Sequence, residues 1–151
     1  MENTENKEFI ASRFEIEQQL NQYIGNLKVE GLNSKTKLAL VKLKIELSKI
    51  VDEINDFKKK TIDSIEKPEN YDKMQELAQK EDARQEDKDA FSKIEKEYDD
   101  KLMEVLVPYY NEKVTIPFDY LTEDDFYALV EKNDVNVIFG YEYIYNKLVK
   151  K

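Results

Sequence analysis

The stretch from Ser34 to Ile65, SKTKLALVKLKIELSKIVDEINDFKKKTIDSI, contains neither glycine nor proline, and its apolar residues recur at helical spacing. It reads as one long helix. Leu40, Leu43, Leu47, Ile50, Ile54 and Phe57 step by alternating threes and fours, which puts all six on one stripe, as the seam of an antiparallel bundle or coiled coil requires. Leu38, Val41 and Ile45 add a second stripe beside it, so the first half of the helix is expected to bury a wider arc than the second. The rest of the chain has to supply the cover.

At 151 residues the chain is long enough for one domain with a core of its own. Cysteine and histidine are both absent. A disulfide framework and a thiolate metal site are therefore excluded, as are the commonest general base and the commonest transition-metal ligand. With 3 glycines in the whole chain, there is no glycine-rich phosphate loop either. The reading is a protein that is not an enzyme and carries no cofactor. A net charge of -9 opposes direct nucleic-acid binding, whose affinity comes from neutralising phosphates. MENTENKEF lacks the basic and apolar regions of a secretion signal, and no segment approaches the ~18 apolar residues of a membrane span, so no membrane association is expected.

Residues 4 to 24 read as an amphipathic helix capped by Thr4, with Phe9, Ile10, Phe14, Ile16, Leu20, Tyr23 and Ile24 as its apolar face. Gly25 and Gly31 bracket a short connection, and Asn33 or Ser34 offers the capping oxygen for the long helix. The first two helices then become antiparallel neighbours, with Phe14, Leu20, Tyr23 and Leu27 set against Leu38, Leu40 and Leu43. Pro68 ends the long-helix region, PENYDKMQELAQ offers Tyr71, Met74, Leu77 and Ala78 as one or two apolar turns of a short helix, and QKEDARQEDKD from Gln79 to Asp89 is a solvated loop or exposed helical turn. A second strong helix runs from about Lys88 to Asn111, with Phe91, Ile94, Tyr98, Leu102, Val105, Leu106 and Tyr109 on one side. Val114, Ile116 and Phe118 alternate as a short strand that Pro117 confines to an edge. Thr122 caps a helix beginning at Glu123, and residues 135 to 138 read as extended before a terminal helix. The expected fold is mainly α: an antiparallel helical hairpin or three-helix bundle with a small strand-containing C-terminal cap. Residues 1–151 form a single domain in this reading, made of a hairpin at 4–65, a charged loop and third helix at 66–111, and a strand with terminal helices at 112–151.

Three clusters carry possible chemistry. Glu123, Asp124 and Asp125 could approach a hard cation, but a helix N-terminus favours carboxylates in any case and the calcium-loop pattern is missing. Lys35, Lys42 and Lys49 share one face of the long helix and Lys37 and Lys44 another, an arrangement common on solvated helices. Seven of the ten tyrosines fall after residue 108. Tyrosine joins an apolar ring to a polar tip and is favoured at interfaces. Tyr110, Tyr120, Tyr141, Tyr143 and Tyr145 are therefore the candidate protein-binding residues, with Tyr141 and Tyr145 turned inward and Tyr143 outward.

The order of these features resembles a domain-of-unknown-function family of small proteins encoded by tailed bacteriophages. The likeness is carried by SKTKLALVKLKIELSKIVDEINDF, the charged stretch AQKEDARQEDKDAF, KLMEVLVPYYNEKVTIPF, the turn YLTEDDF and the closing GYEYIYNKLV. It departs from the family where a proline commonly opens the long helix, a place held here by Asn33-Ser34-Lys35. The family brings no catalytic residues with it. It implies a phage gene product found in the host cytoplasm during infection or in the virion.

The leading expectation is a non-enzymatic phage protein, a virion component or assembly factor, that works by contact with a phage or host protein, with the C-terminal tyrosines and the open side of the long helix as its docking surfaces. A homo-oligomer sharing the Leu40–Phe57 stripe is a subsidiary expectation. The alternative is an acidic inhibitor of a host nucleic-acid-binding or defence protein, with Glu95, Glu97, Asp99, Asp100, Glu123, Asp124 and Asp125 imitating nucleic-acid charge.

Overall fold

The computed structural model describes residues 8–133 and 138–149. Over these the chain is mainly helical with one two-stranded antiparallel sheet. In order come strand β1 (Glu8–Ser12), a helical run made of α1 (Arg13–Glu15), a π-helical turn (Ile16–Leu20) and α2 (Asn21–Gly25), then α3 (Ser34–Ser64). They are followed by α4 (Tyr71–Ala78), α5 (Gln85–Asn111), strand β2 (Lys113–Pro117), α6 (Glu123–Lys132) and α7 (Ile138–Leu148). Two compact units result, one holding the residues up to Ile54 and those from Asn111 onward, the other Asn55–Tyr110.

In the first unit, α3 begins where Asn33 caps it: the Asn33 side-chain oxygen accepts from the Thr36 amide at 2.8 Å and its carbonyl from the Lys37 amide at 2.9 Å. Leu40, Leu43, Leu47, Ile50 and Ile54 are buried, so the predicted stripe is a core seam. It is consumed by the chain itself and is not open for sharing with another copy. The second stripe is corrected. Leu38 is 54% and Ile45 51% exposed, because Ile45 stands two residues from both Leu43 and Leu47, about 200° around the helix from each.

The N-terminal reading also changes. Residues 8–12 are a strand rather than the start of a helix, and Thr4 lies outside the described residues. Phe9 and Ala11 alternate inward and pair with Ile116 and Val114, leaving Ile10 on the outer face beside Thr115. The helix starts after Ser12, whose hydroxyl accepts from the Glu15 amide at 3.1 Å. Phe14, expected as a core residue, is 55% exposed. Beyond it the π-helical turn, closed by the Asn21 amide donating to the Ile16 carbonyl, keeps Ile16, Leu20 and Ile24 buried although they are spaced by fours.

The loop after α2 is tied at two points. The Lys44 ammonium donates to the Leu27 carbonyl at 2.6 Å, and the Asn133 side chain accepts from the Lys28 amide at 2.7 Å while donating to the Lys28 carbonyl at 3.1 Å. Asn133 also donates to the Leu129 carbonyl at 2.8 Å and so finishes α6. Gly31 has φ of 83°, and a Cβ there would come within 3.0 Å of Lys132 Cε. At the other end of α6, Thr122 caps the helix as its sequence predicts, and Asp125 answers it to complete a capping box.

The second unit is a smaller bundle. Phe57, in the last turns of α3, stacks on Tyr109 of α5 at 3.8 Å, while Tyr71 of α4 packs against Phe91 and Tyr98 of α5. Tyr98, Leu102 and Leu106 form the core, with Phe57, Ile65, Tyr71 and Tyr110 packed on it. Val105, assigned to the inner side of α5, faces solvent. Asn70 opens α4 in the left-handed region, at φ of 63°, which asparagine tolerates better than most residues. Of the stretch expected to be extended at 135–138, residues 135–137 lie outside the described residues and Ile138 opens α7.

Candidate functional site

Most of the tyrosines singled out in the sequence are braces within the chain. Tyr143 turns inward, not outward: its hydroxyl donates to Glu15 Oε1 at 2.5 Å and its ring lies 5.3 Å from that of Tyr23. Lys147 Nζ reaches the same carboxylate oxygen at 2.8 Å, so Glu15 fastens α7 to the helical run 13–25. Burial pushes the Glu15 carboxyl up, but the hydrogen bonds from Lys147 and Tyr143 outweigh it and leave it below the usual glutamate range. The same burial and bond push the Tyr143 phenol well above its ordinary value.

Tyr145 faces the other flank of α7, where its hydroxyl donates to Glu123 Oε1 at 2.9 Å and its ring meets Phe126 edge-on at 5.2 Å. Tyr120 donates to the Glu8 carbonyl at 2.7 Å and holds the end of β1. Tyr110 packs in the second unit, with Lys58 Nζ 5.4 Å from its ring centre. Tyr141 is half-buried and lines a cleft with Gln22, Tyr23 and Asn26. Among the tyrosines of the described residues, the most exposed ring is that of Tyr127, at 65%.

The acidic residues fall into two sets. Glu97, Asp99 and Asp100 are exposed on α5, and Glu95 is half-buried beside them. At the start of α6, Asp124 is exposed, Glu123 accepts from Tyr145, and Asp125 accepts from the Thr122 amide at 3.2 Å and from the Asn33 side chain at 3.0 Å. Burial raises the Asp125 carboxyl, and the hydrogen bonds from Thr122, Asn33 and Thr36 bring it below its ordinary value. Asp125 thereby joins the N-termini of α3 and α6. Among the described residues no group of three or more carboxylates is placed to hold a metal ion.

A different surface combines exposed apolar and basic side chains. On the side of α3 opposite its core seam, Leu38 and Ile45 stand exposed with half-buried Val41 between them at helical spacing. From Ser34 to Lys49 five lysines, Lys35, Lys37, Lys42, Lys44 and Lys49, stand against Glu46 alone. Glu46 is itself paired with Lys49 at 3.5 Å, and Lys35 and Lys42 have no ion pair among the described residues. Beside this face a cleft of about 350 Å³ opens between α3 and the end of β2, walled by Ala39, Lys42, Ile45, Glu46, Pro117, Phe118 and Asp119. The sequence contained the signal for this face, since residues 200° from a core stripe cannot share it. Removing the exposed halves of Leu38 and Ile45 from water would contribute about 1 kcal/mol each.

No family model, curated protein or solved structure gives a significant match to this chain. Among the described residues no helix is long and apolar enough to cross a membrane.

Proposed function

We propose that this protein is not an enzyme and works by contact with other proteins. The observation that carries the reading is the outer face of α3, where Leu38 and Ile45 are exposed within a ridge of lysines and beside a cleft of mixed apolar and charged lining. Large apolar side chains held in water on a rigid helix suit a surface that another protein covers. The resemblance to small tailed-phage proteins supplies the setting, a virion component or assembly factor encountered in the infected host. The tyrosines enter this reading as the braces that hold α7 and β1 in place, and the contact is assigned to the helix face. The acidic-inhibitor alternative draws on Glu97, Asp99 and Asp100, but Glu123 and Asp125 are already engaged by Tyr145, Thr122 and Asn33.

The test is affinity capture of the tagged chain from infected host cells, with mass spectrometry of the captured proteins and of purified virions. Portal, capsid or tail proteins in the capture, with peptides of this chain in the particle, are the expected result. A host nuclease or defence protein captured instead, with no peptide in virions, overturns it in favour of the inhibitor.

A further inference from the structure

We infer that the outer face of α3 is a docking site for an acidic amphipathic helix of another protein. The inference rests on the reading of this chain as a contact protein and names the chemistry of the partner. Leu38, Val41 and Ile45 run along the helix axis at steps of three and four, so the surface they offer is a ridge with the geometry of helix-on-helix packing. The adjoining cleft has Ala39, Pro117 and Phe118 in its wall together with the carboxylates Glu46 and Asp119, the first paired with Lys49, so it takes an apolar side chain projecting from the partner while the partner's acidic residues meet the lysines outside it.

Charge selects the partner. Lys35 and Lys42 carry no ion pair among the described residues, and with Lys49 they line one side of the apolar ridge at intervals of seven. A helix whose leucine stripe is flanked by glutamates places its carboxylates opposite these ammonium groups, and the lysine stems add apolar cover. A second copy laid on the same face by a twofold axis would set the lysines of one chain against those of the other. Anionic membranes and nucleic acid also carry the complementary charge, but the net charge of -9 on the whole chain repels extended anionic surfaces. A single helix meets only the local lysines, within roughly one Debye length of ~8 Å at physiological salt.

The experiment uses the purified full chain and two fluorescein-labelled amphipathic helical peptides, identical in their leucine stripe, one flanked by glutamates and the other by lysines. Fluorescence anisotropy is expected to show saturable binding of the glutamate peptide that weakens as salt is raised. Ile45→Asp is expected to weaken it by about tenfold or more, equivalent to about 1.4 kcal/mol. Replacing Lys35, Lys42 and Lys49 together by Glu should abolish it and give binding of the lysine peptide instead, a swap that general loss of structure cannot produce. All these positions are solvent-facing or at the rim, so circular dichroism melts of the variants should match the parent. Failure of the glutamate peptide to bind, equal binding of both peptides, or indifference to Ile45→Asp overturns the inference. So does an oligomer of the chain that Ile45→Asp dissolves in sedimentation, or preference for phosphatidylserine vesicles over the peptide through the same residues. Capture of virion proteins that survives Ile45→Asp would refute this face while leaving the contact function standing. A peptide that binds as expected, alongside a capture without virion proteins, supports the face and refutes only the phage setting.

Discussion

At the scale of single residues, the chain without histidine has placed a pH-sensitive clamp outside the neutral range. Glu15 holds both Tyr143 and Lys147, and its carboxyl lies below the ordinary glutamate value, so the stability it contributes is present above about pH 4 and is lost as pH falls through the lowered value. The Tyr143 phenol is displaced upward, so its contribution is complete below about pH 10 and declines at higher pH, where the unfolded chain ionises and the folded chain resists. Tyr143→Phe removes a hydrogen bond to a charged group that is largely shielded from water and should cost about 1–2 kcal/mol near neutrality. Urea unfolding of parent and variant across the pH range checks the sign: their difference should be greatest between the two limits and shrink toward acid and toward strong alkali. A difference that is constant with pH would mean that the bond to ionised Glu15 is not what Tyr143 contributes.

The elements show which parts of the fold a reader of the sequence can reach. α3, α5 and α6 were legible because helical periodicity, Asn33 and the Thr122–Asp125 box are all local signals. β1 was not, since its register is set by β2 near the other end of the chain, although Ser12 and Glu15 marked the true helix start. The inward turn of Tyr143 was hidden for a similar reason. α7 has neighbours on two sides, the helical run 13–25 at Tyr143 and α6 at Tyr145, so it shelters residues on both flanks of its Ile144–Leu148 stripe. Leu38 and Ile45 are expected from the sequence to widen the buried arc of α3 and are exposed instead, because hydrophobicity alone does not say which side of a helix is covered. That difference converts into a test on one element. Leu47→Ala, in the core seam of α3, should cost about 2–5 kcal/mol, whereas Leu38→Ala on the outer face should stay within about 0.5 kcal/mol. Comparable losses from the two in urea unfolding would put Leu38 back in the core and remove the exposed face.

On the scale of the whole molecule, burial is divided unequally between the two units. The large side chains with essentially no exposure, among them Ile16, Leu20, Leu43, Leu47, Ile116, Leu129 and Leu148, all belong to the unit built from both ends of the chain. The buried apolar residues of the Asn55–Tyr110 unit are Phe91, Tyr98, Leu102 and Leu106, with half-buried Phe57, Ile65, Tyr71 and Tyr110 around the last three, and α4 has no buried residue. Apolar area removed from water is the main term that holds a helix in place once its own propensity is exhausted. The amides of α4 and of α5 up to Tyr110 should therefore open at lower free energy than those of α3 between Leu40 and Ile54, which share the better-filled core. Hydrogen exchange followed by mass spectrometry reads this directly, because peptides from 71–110 and from 40–54 can be timed in one experiment. Earlier exchange in 71–110 is expected, with α3 amides beyond Asn55 following the faster set. Uniform protection across both would mean that the molecule opens only as a whole, and that the thinner core is held by something other than the apolar burial described.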